Sequence, residues 1–380
     1  MQRLQVPSTG TFNRLLWDVS GGFGDIGVLF PIAVALIIKS GFDPADLFLM
    51  AGLFYILSAF YFKITMPVQP LKAMFAIALA TGLGAEVISA AGLVMGLLLL
   101  FLALTGFSEW LGSVFPLSVI RGIQLGLGFL LVKTSLGLMH ADLLMAFVSG
   151  MILLACVLLF KKIPPLIPLL ILGFGFSLSG LTPRPLFHGS FLPKLPDLEH
   201  IRIGFMTLVI PQLALTFGNA VVATEATGKL LYGEKAARLN LKSIPLSMGL
   251  ANIISGIMGG IPMCHGSGGL TAHFKFGATG PRSGYIIGLT LTAFALISGD
   301  AALSVVAAFP TAILGVLLCY VGIEHAMLVR DIMGDKRAVV VAAVVALVGL
   351  ATNNLTLGFL VGGVCHYALM GLKAPAKDQE

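Results

Sequence analysis

Ile261-Pro262-Met263-Cys264-His265-Gly266-Ser267-Gly268-Gly269-Leu270 breaks an apolar run with a proline and a cluster of three glycines. Pro262 ends the helix before it, because it has no N–H and its ring clashes with the preceding turn. The glycines free the backbone. Ser267 is suited to cap the short helix that follows, which runs only to about Phe276. Met66-Pro67-Val68-Gln69-Pro70-Leu71-Lys72 makes a matching break earlier in the chain. Pro67 and Pro70 cannot lie inside a continuous helix without cost. Pro70 suits a first helical position, with Gln69 as its polar neighbour. The helix predicted over Gln69–Thr81 has 13 residues, about 20 Å at ~1.5 Å per residue. The hydrocarbon core of a bilayer is ~30 Å thick, so such a helix begins inside the membrane.

Composition makes a membrane the setting. Of the 380 residues, 57% are hydrophobic and only 11% are charged, less than half the ~25% charge of a soluble domain. That excludes a large soluble enzyme, a disordered chain and a coiled coil. Continuous apolar runs such as Leu97–Leu104 exclude a β-barrel, whose strands alternate. The class left is an all-α polytopic membrane protein. Its apolar runs divide into about 14 transmembrane segments, including the two short half-helices, with 115–132 and 301–324 each read as one bent or partly re-entrant segment. The net charge of +6 reads as topology and not as nucleic-acid binding. With the N-terminus inside, 16 of the 23 basic residues fall inside. Five fall outside (Lys39, Lys133, Arg184, Lys194, Arg202), and Lys72 and Arg121 lie within segments. This is the positive-inside pattern. It predicts a multi-pass plasma-membrane protein, of the bacterial or archaeal inner-membrane kind, with both termini cytoplasmic. The N-terminal residues lack the pattern of a signal peptide. The four cysteines show no metal spacing, so neither metal nor cofactor is expected.

The chain also repeats itself. Phe23-Gly24-Asp25 recurs as Phe217-Gly218-Asn219, Met66-Pro67 as Ile261-Pro262, and Phe115-Pro116 as Phe309-Pro310, at offsets of 194 or 195. Seven segments precede the polar stretch Thr182–Arg202 and seven follow it. An odd number per repeat inserts the second copy upside down, which is an architecture of secondary transporters. The expected organisation is a cytoplasmic segment 1–22, a first inverted repeat 23–181, an extracytoplasmic connection 182–203, a second inverted repeat 204–372 and a cytoplasmic tail 373–380.

Two half-helices of opposite approach direct their N-termini at one cavity. Each brings unpaired N–H groups and about half a positive charge. That makes an anion site. Its candidate residues are Gln69, Pro70 and Lys72 from the first break and His265, Gly266, Ser267, Gly268 and Gly269 from the second. The alternative is a glycine–proline hinge with no ligand. Asp25, at the start of the first segment, is a candidate for proton coupling or site organisation, or else an interface cap. Its repeat partner, the neutral Asn219, is a further candidate for substrate binding. Glu225, which ends the eighth segment, is a second candidate for proton coupling or site organisation, though it reads more readily as a cytoplasm-facing carboxylate. Arg121 either faces the cavity or snorkels. His273, Lys275, Glu324 and His325 read as interfacial. No GxxxxGK[ST] loop, HExxH helix or GxSxG elbow is present, so no enzyme activity is expected. The few residues after Leu372 are too short for a further domain.

At these residues the chain resembles the molybdate transporter family, a branch near the sulfate permease (SulP) group. The blocks that carry the resemblance are FGDIGVLFPI (Phe23–Ile32), MPVQPLKA (Met66–Ala73), PQLALTFGNAVVAT (Pro211–Thr224) and PMCHGSGGLTAHFKFGA (Pro262–Ala278). The resemblance implies a seven-plus-seven inverted repeat, a core domain moving against a gate domain, and a substrate site between the half-helix starts and the first and eighth segments. It implies molybdate as substrate, with sulfate carried by relatives. The sequence lacks the STAS domain of typical sulfate permeases, as the molybdate branch does. Asn219 stands where related transporters often place a carboxylate. The expectation is secondary active transport of molybdate by alternating access, with proton coupling tested at Asp25 and His265. A sulfate or general oxyanion carrier and an anion channel on the same fold are the alternatives, and a homodimer is common in the wider group.

Overall fold

The computed structural model describes residues 11–23, 26–108, 116–159, 167–179, 193–275, 277–278, 280–352 and 354–370. It is helical apart from two short strands. The first half runs α1 (Thr11–Gly22), α2 (Ile26–Ser40), α3 (Pro44–Phe62), β1 (Gln69–Pro70), α4 (Lys72–Thr81), α5 (Ala85–Thr105), α6 (Leu117–Met139), α7 (Leu143–Leu159) and α8 (Ile167–Ser179). The second begins with a long helical run, α9 (Leu198–Ala236). It continues with α10 (Ser243–Ile257), β2 (Met263–Cys264), α11 (Ser267–Lys275), α12 (Arg282–Ala307), α13 (Thr311–Met327), α14 (Lys336–Thr352) and α15 (Leu355–Met370). Among the described residues, five helical stretches are long and apolar enough to cross a membrane: α3, α5, α6, α9, and α13 with the turn that extends it to Ile332. The chain is a multi-pass membrane protein.

Local chemistry sets the helix ends. Asp43 caps α3, its carboxylate accepting from Ala45 N (2.8 Å) and Asp46 N (3.1 Å), with Pro44 at the first helical position. Gly82, left-handed at φ 69°, stops α4. Pro116 and Pro310 stand at the N-caps of α6 and α13, the two prolines of the repeated Phe-Pro landmark. The second overturns the reading of 301–324 as one segment. Residues 301–307 belong to α12, and a new helix starts after Pro310, because a proline cannot donate to the turn behind it. The expected connection 182–203 is also shortened. Residues 198–203 are already helical behind the Asp197 cap, which accepts from His200 N at 2.8 Å.

Helix pairs pack through glycine. A Cβ on Gly52 of α3 would stand 2.7 Å from the Gly288 carbonyl oxygen of α12. One on Gly96 of α5 would stand 2.8 Å from the Gly249 carbonyl of α10, and one on Gly128 of α6 would stand 2.6 Å from that of Gly322 on α13. Small residues let membrane helices approach to backbone contact. At the offset of 194 residues that relates the sequence landmarks, α3 corresponds to α10 and α5 to α12. The helix α1 lies against α11 and α12, with Asp18 accepting a hydrogen bond from Ser283 Oγ at 3.3 Å.

Candidate anion site at the strand crossing

The two proline breaks meet. β1 and β2 pair antiparallel, Gln69 opposite Cys264 and Pro70 opposite Met263. Leu71 N donates to the Pro262 carbonyl at 3.1 Å. Two residues of extended chain thus precede each half-helix, and α4 (10 residues) and α11 (9 residues) leave from one crossing. The helix predicted from Gln69 therefore starts at Lys72. Pro70 belongs to the strand, which satisfies a backbone that the two prolines keep out of a helix. Asn252 of α10 braces the crossing from behind. Its Nδ2 donates to the Met263 carbonyl (2.8 Å) and its Oδ1 accepts from Met263 N (2.6 Å). Ser255 Oγ donates to the Ile261 carbonyl at 2.7 Å.

The two half-helix N-termini differ. That of α4 is occupied by the chain itself: Gln212 of α9, buried, accepts through Oε1 from both Ala73 N (2.9 Å) and Met74 N (3.2 Å). Its Nε2 donates to Thr216 Oγ1 at 3.0 Å. The N-terminus of α11 is open. Ser267 is half-buried and Gly268 exposed, and a Cβ on Gly268 would meet nothing within 4 Å. Among the described contacts Ser267 caps no amide. Its hydroxyl donates to Asn219 Oδ1 at 3.0 Å.

Asn219 is brought there by a widened turn. The run α9 carries two π-helical stretches, Phe205–Val209 and Thr216–Val222. The first precedes Pro211, whose missing N–H interrupts the ladder, and the second contains Asn219. Such bulges occur often at functional sites. Lys72 is half-buried, and its ammonium donates to Gln69 Oε1. Gly266 lies directly against the Gln69 carboxamide, where a Cβ would collide. Gln69, Lys72, Asn219 and Ser267–Gly269 are thus gathered at the crossing.

The remaining candidates lie otherwise. His265 is fully buried beside Phe54 and Phe62. Its Nδ1 hydrogen-bonds the Pro67 carbonyl (2.9 Å) and its Nε2 the Ser247 hydroxyl (3.1 Å), so both ring nitrogens are engaged by the protein. Glu225 pairs with Lys229, one turn on, at 2.5 Å. Asp25 lies outside the described residues. Arg121 forms a forked pair with Asp331, Nε to both carboxylate oxygens at 2.9 Å, and reaches Gln124 at 2.8 Å. His273, read as interfacial, is instead buried, with Nδ1 on Thr65 Oγ1 at 2.7 Å and its ring stacked on Tyr55. Gln212 and Asn252 were not among the sequence-stated candidates. Gln212 had a signal in its spacing, seven residues and two helical turns before Asn219 on one face.

The crossing and its two half-helices are set in a fold that solved membrane proteins share. The chain superposes on the transmembrane domain of a cyanobacterial bicarbonate transporter, BicA, with a TM-score of 0.64 and 20% identity, covering 95% of this chain and 99% of that one. It superposes on SLC26A9 with a TM-score of 0.71 and 14% identity, covering 96% of this chain and 66% of that one. These likenesses show the fold alone. A family model described as "Molybdate transporter of MFS superfamily" matches residues 18–131 and 204–324, and the chain belongs to this molybdate transporter family. Molybdate transporter 2 of Arabidopsis thaliana is 28% identical over 94% of this chain and 88% of its own length. Molybdate transporter 1 of Chlamydomonas reinhardtii is 27% identical over 93% and 91%. These relatives are transporters, not enzymes.

Proposed function

We propose that the chain carries molybdate across the plasma membrane by alternating access, with the oxyanion held at the open N-terminus of α11. The observation that carries this reading is the difference between the two half-helices. Gln212 fills the N-terminus of α4, while the first turn of α11 carries the exposed Gly268 and has no side-chain cap on its amides among the described contacts. A helix N-terminus with free N–H groups favours an anion. Asn219 turns its Oδ1 to Ser267, which leaves its Nδ2 as a donor for the same oxyanion. Lys72, within electrostatic range of His325 on α13, supplies the cation. Gln69 and Gly266 position it, and Pro70 and His265 hold the crossing in shape. The printed names of the relatives support molybdate as the ion.

The inverted seven-plus-seven repeat is part of this proposal, supported by the antiparallel strands and the exchangeable helix pairs. Importing a dianion against a negative-inside potential costs about 4.6 kcal/mol per 100 mV, twice the ~2.3 kcal/mol of one charge. Uptake therefore requires coupling, which we assign to protons, with Asp25 as the first residue to test and both termini cytoplasmic. The experiment is uptake of labelled molybdate into proteoliposomes with sulfate as competitor. Saturable uptake that a large excess of sulfate barely reduces, and that an inward proton gradient accelerates, supports the proposal. Strong sulfate competition reassigns the site to general oxyanions. Absence of uptake of either ion rejects it.

A further inference from the structure

A groove of about 470 Å³ lies between α3 and α10. Its walls are two stripes at helical spacing: Leu53, Leu57 and Phe60 on α3, and Leu246, Leu250 and Ile254 on α10. Five of these six side chains are exposed, Leu246 being half-buried. No acidic residue lines the groove. Along α3 it extends from Met50 to Tyr61, about 16 Å at ~1.5 Å per residue. That is half of a ~30 Å hydrocarbon core, the depth of one leaflet.

The groove has a charged end. Lys63, the residue just past α3, places its ammonium 4.2 Å from the centre of the Phe60 ring. It holds a left-handed backbone, φ 59° and ψ 12°, at the position where helices usually end in glycine. Arg238 Nη1 donates to the Tyr61 carbonyl at 2.7 Å. Lys242 immediately precedes Ser243, which lines the groove. All three cations are exposed. The back wall is Ser247, whose hydroxyl bonds His265, so the groove abuts the brace of the strand crossing.

We infer that this groove is a binding site for an anionic phospholipid of the bilayer, its acyl chain lying between the α3 and α10 stripes and its phosphate meeting Lys63, Arg238 and Lys242. An apolar trough one leaflet deep that ends in three cations fits an amphiphile with one negative head. A zwitterionic lipid offers the same chain but no net charge to the cations, and each basic residue near a bilayer surface adds to the preference for anionic lipid.

The test is native mass spectrometry of the full chain, purified in mild detergent and incubated with equimolar phosphatidylglycerol and phosphatidylcholine. Wild type retains phosphatidylglycerol over phosphatidylcholine by roughly 10-fold or more, from three cations at the surface. The K63Q/K242Q variant, which leaves Arg238 to hold the Tyr61 carbonyl, brings the preference down severalfold. Leu250→Trp, which fills the trough and leaves the cations in place, reduces retention of both lipids. Equal retention of the two lipids by wild type overturns the inference, as does undiminished selectivity in K63Q/K242Q or undiminished retention in Leu250→Trp. Because the readout is bound lipid and not transport, its failure is separable from failure of the molybdate assignment.

Discussion

Gln212→Ala removes one buried acceptor and orphans two amides, Ala73 N–H and Met74 N–H, at the start of α4. It also takes the donor from Thr216 Oγ1. A buried amide left without a partner costs about 1–3 kcal/mol. The two share one acceptor oxygen, so the expected destabilisation is about 2–4 kcal/mol, on the order of 5 °C or more in melting temperature. Gln212→Glu keeps an acceptor in the same place and adds a negative charge at a helix N-terminus, where the dipole favours it. Its stability should return to near wild type. Transport should not return with it. For an ion bound at the crossing ~8 Å from that carboxylate, the repulsion is roughly 4 kcal/mol at an effective dielectric of ~20, on the order of 1,000-fold in affinity. The assay is thermal melting of the detergent-purified variants beside molybdate uptake in proteoliposomes. A Gln212→Ala protein as stable as wild type would refute the capping argument, and a Gln212→Glu protein that transports normally would move the anion away from the crossing.

Three further outcomes are expected. Gly266→Ala drives a methyl into the Gln69 carboxamide and should displace Gln69 and release Lys72, at about 1–3 kcal/mol of overpacking. Uptake should fall at least ~10-fold, the factor of about 1.4 kcal/mol, and melting temperature should drop with it. Gly268→Ala meets open space, so stability should stay within about 0.5 kcal/mol while the KM for molybdate rises severalfold. An unchanged KM takes Gly268 out of the site. Burial raises the pKa of Asp18 above its ordinary value of 3.8, with Ser283 and Arg282 opposing. The folded state therefore holds the proton more tightly than the unfolded state, and stability falls as pH rises from the ordinary carboxylate range through the raised pKa. Asp18→Asn, a permanent mimic of the protonated form, should melt higher than wild type at pH 7.5, with the difference vanishing towards pH 4. A constant difference across that range would mean that Asp18 does not titrate at this contact.

The breaks in the helices were legible because proline and glycine act locally. Pro67, Pro70 and Pro262 exclude a continuous helix whatever surrounds them, and α11 begins at Ser267 as its sequence predicts. What the breaks do with the freed backbone was not legible. The pairing of Gln69 with Cys264 joins residues 195 apart, and neither dipeptide has strand character of its own. The role of His265 was misleading for a related reason. A histidine in a polar glycine loop reads as a ligand until Phe54, Phe62, Ser247 and Pro67 are seen to enclose it, and all but Pro67 lie on helices that the loop's own sequence does not describe. His273 went the opposite way, from a surface anchor to a buried partner of Thr65, because Thr65, 208 residues earlier in the chain, and Tyr55, earlier still, reach it. Reading 301–324 as one segment weighs apolarity above the Phe309-Pro310 pair, whose counterpart Phe115-Pro116 marks the same boundary in the first half.

The two half-helices are alike in position and opposite in electrostatic state, and this bears on how one ion is bound. Two open N-termini would present about one full positive charge to a dianion, and with Lys72 the site would carry nearly two. Such a site would hold molybdate tightly and release it slowly. Gln212 removes one of these N-termini by giving its amides an internal acceptor, and Gln69 engages the Lys72 ammonium through a neutral oxygen that an anion can displace. On the proposed function, the attraction left is the N-terminus of α11, the Asn219 amide and a lysine held by a bond that is easily exchanged. A carrier must bind in one state and release in the other, so attraction that exceeds what the cycle can undo lowers turnover. By that argument the unequal capping is a setting of affinity, and Gln212→Leu should change the two kinetic constants in opposite ways. It unmasks the amides of α4 without adding a negative charge, so the variant that still folds should lower the KM for molybdate and lower kcat as well. A raised KM in a folded Gln212→Leu protein would mean that the N-terminus of α4 takes no part in holding the ion.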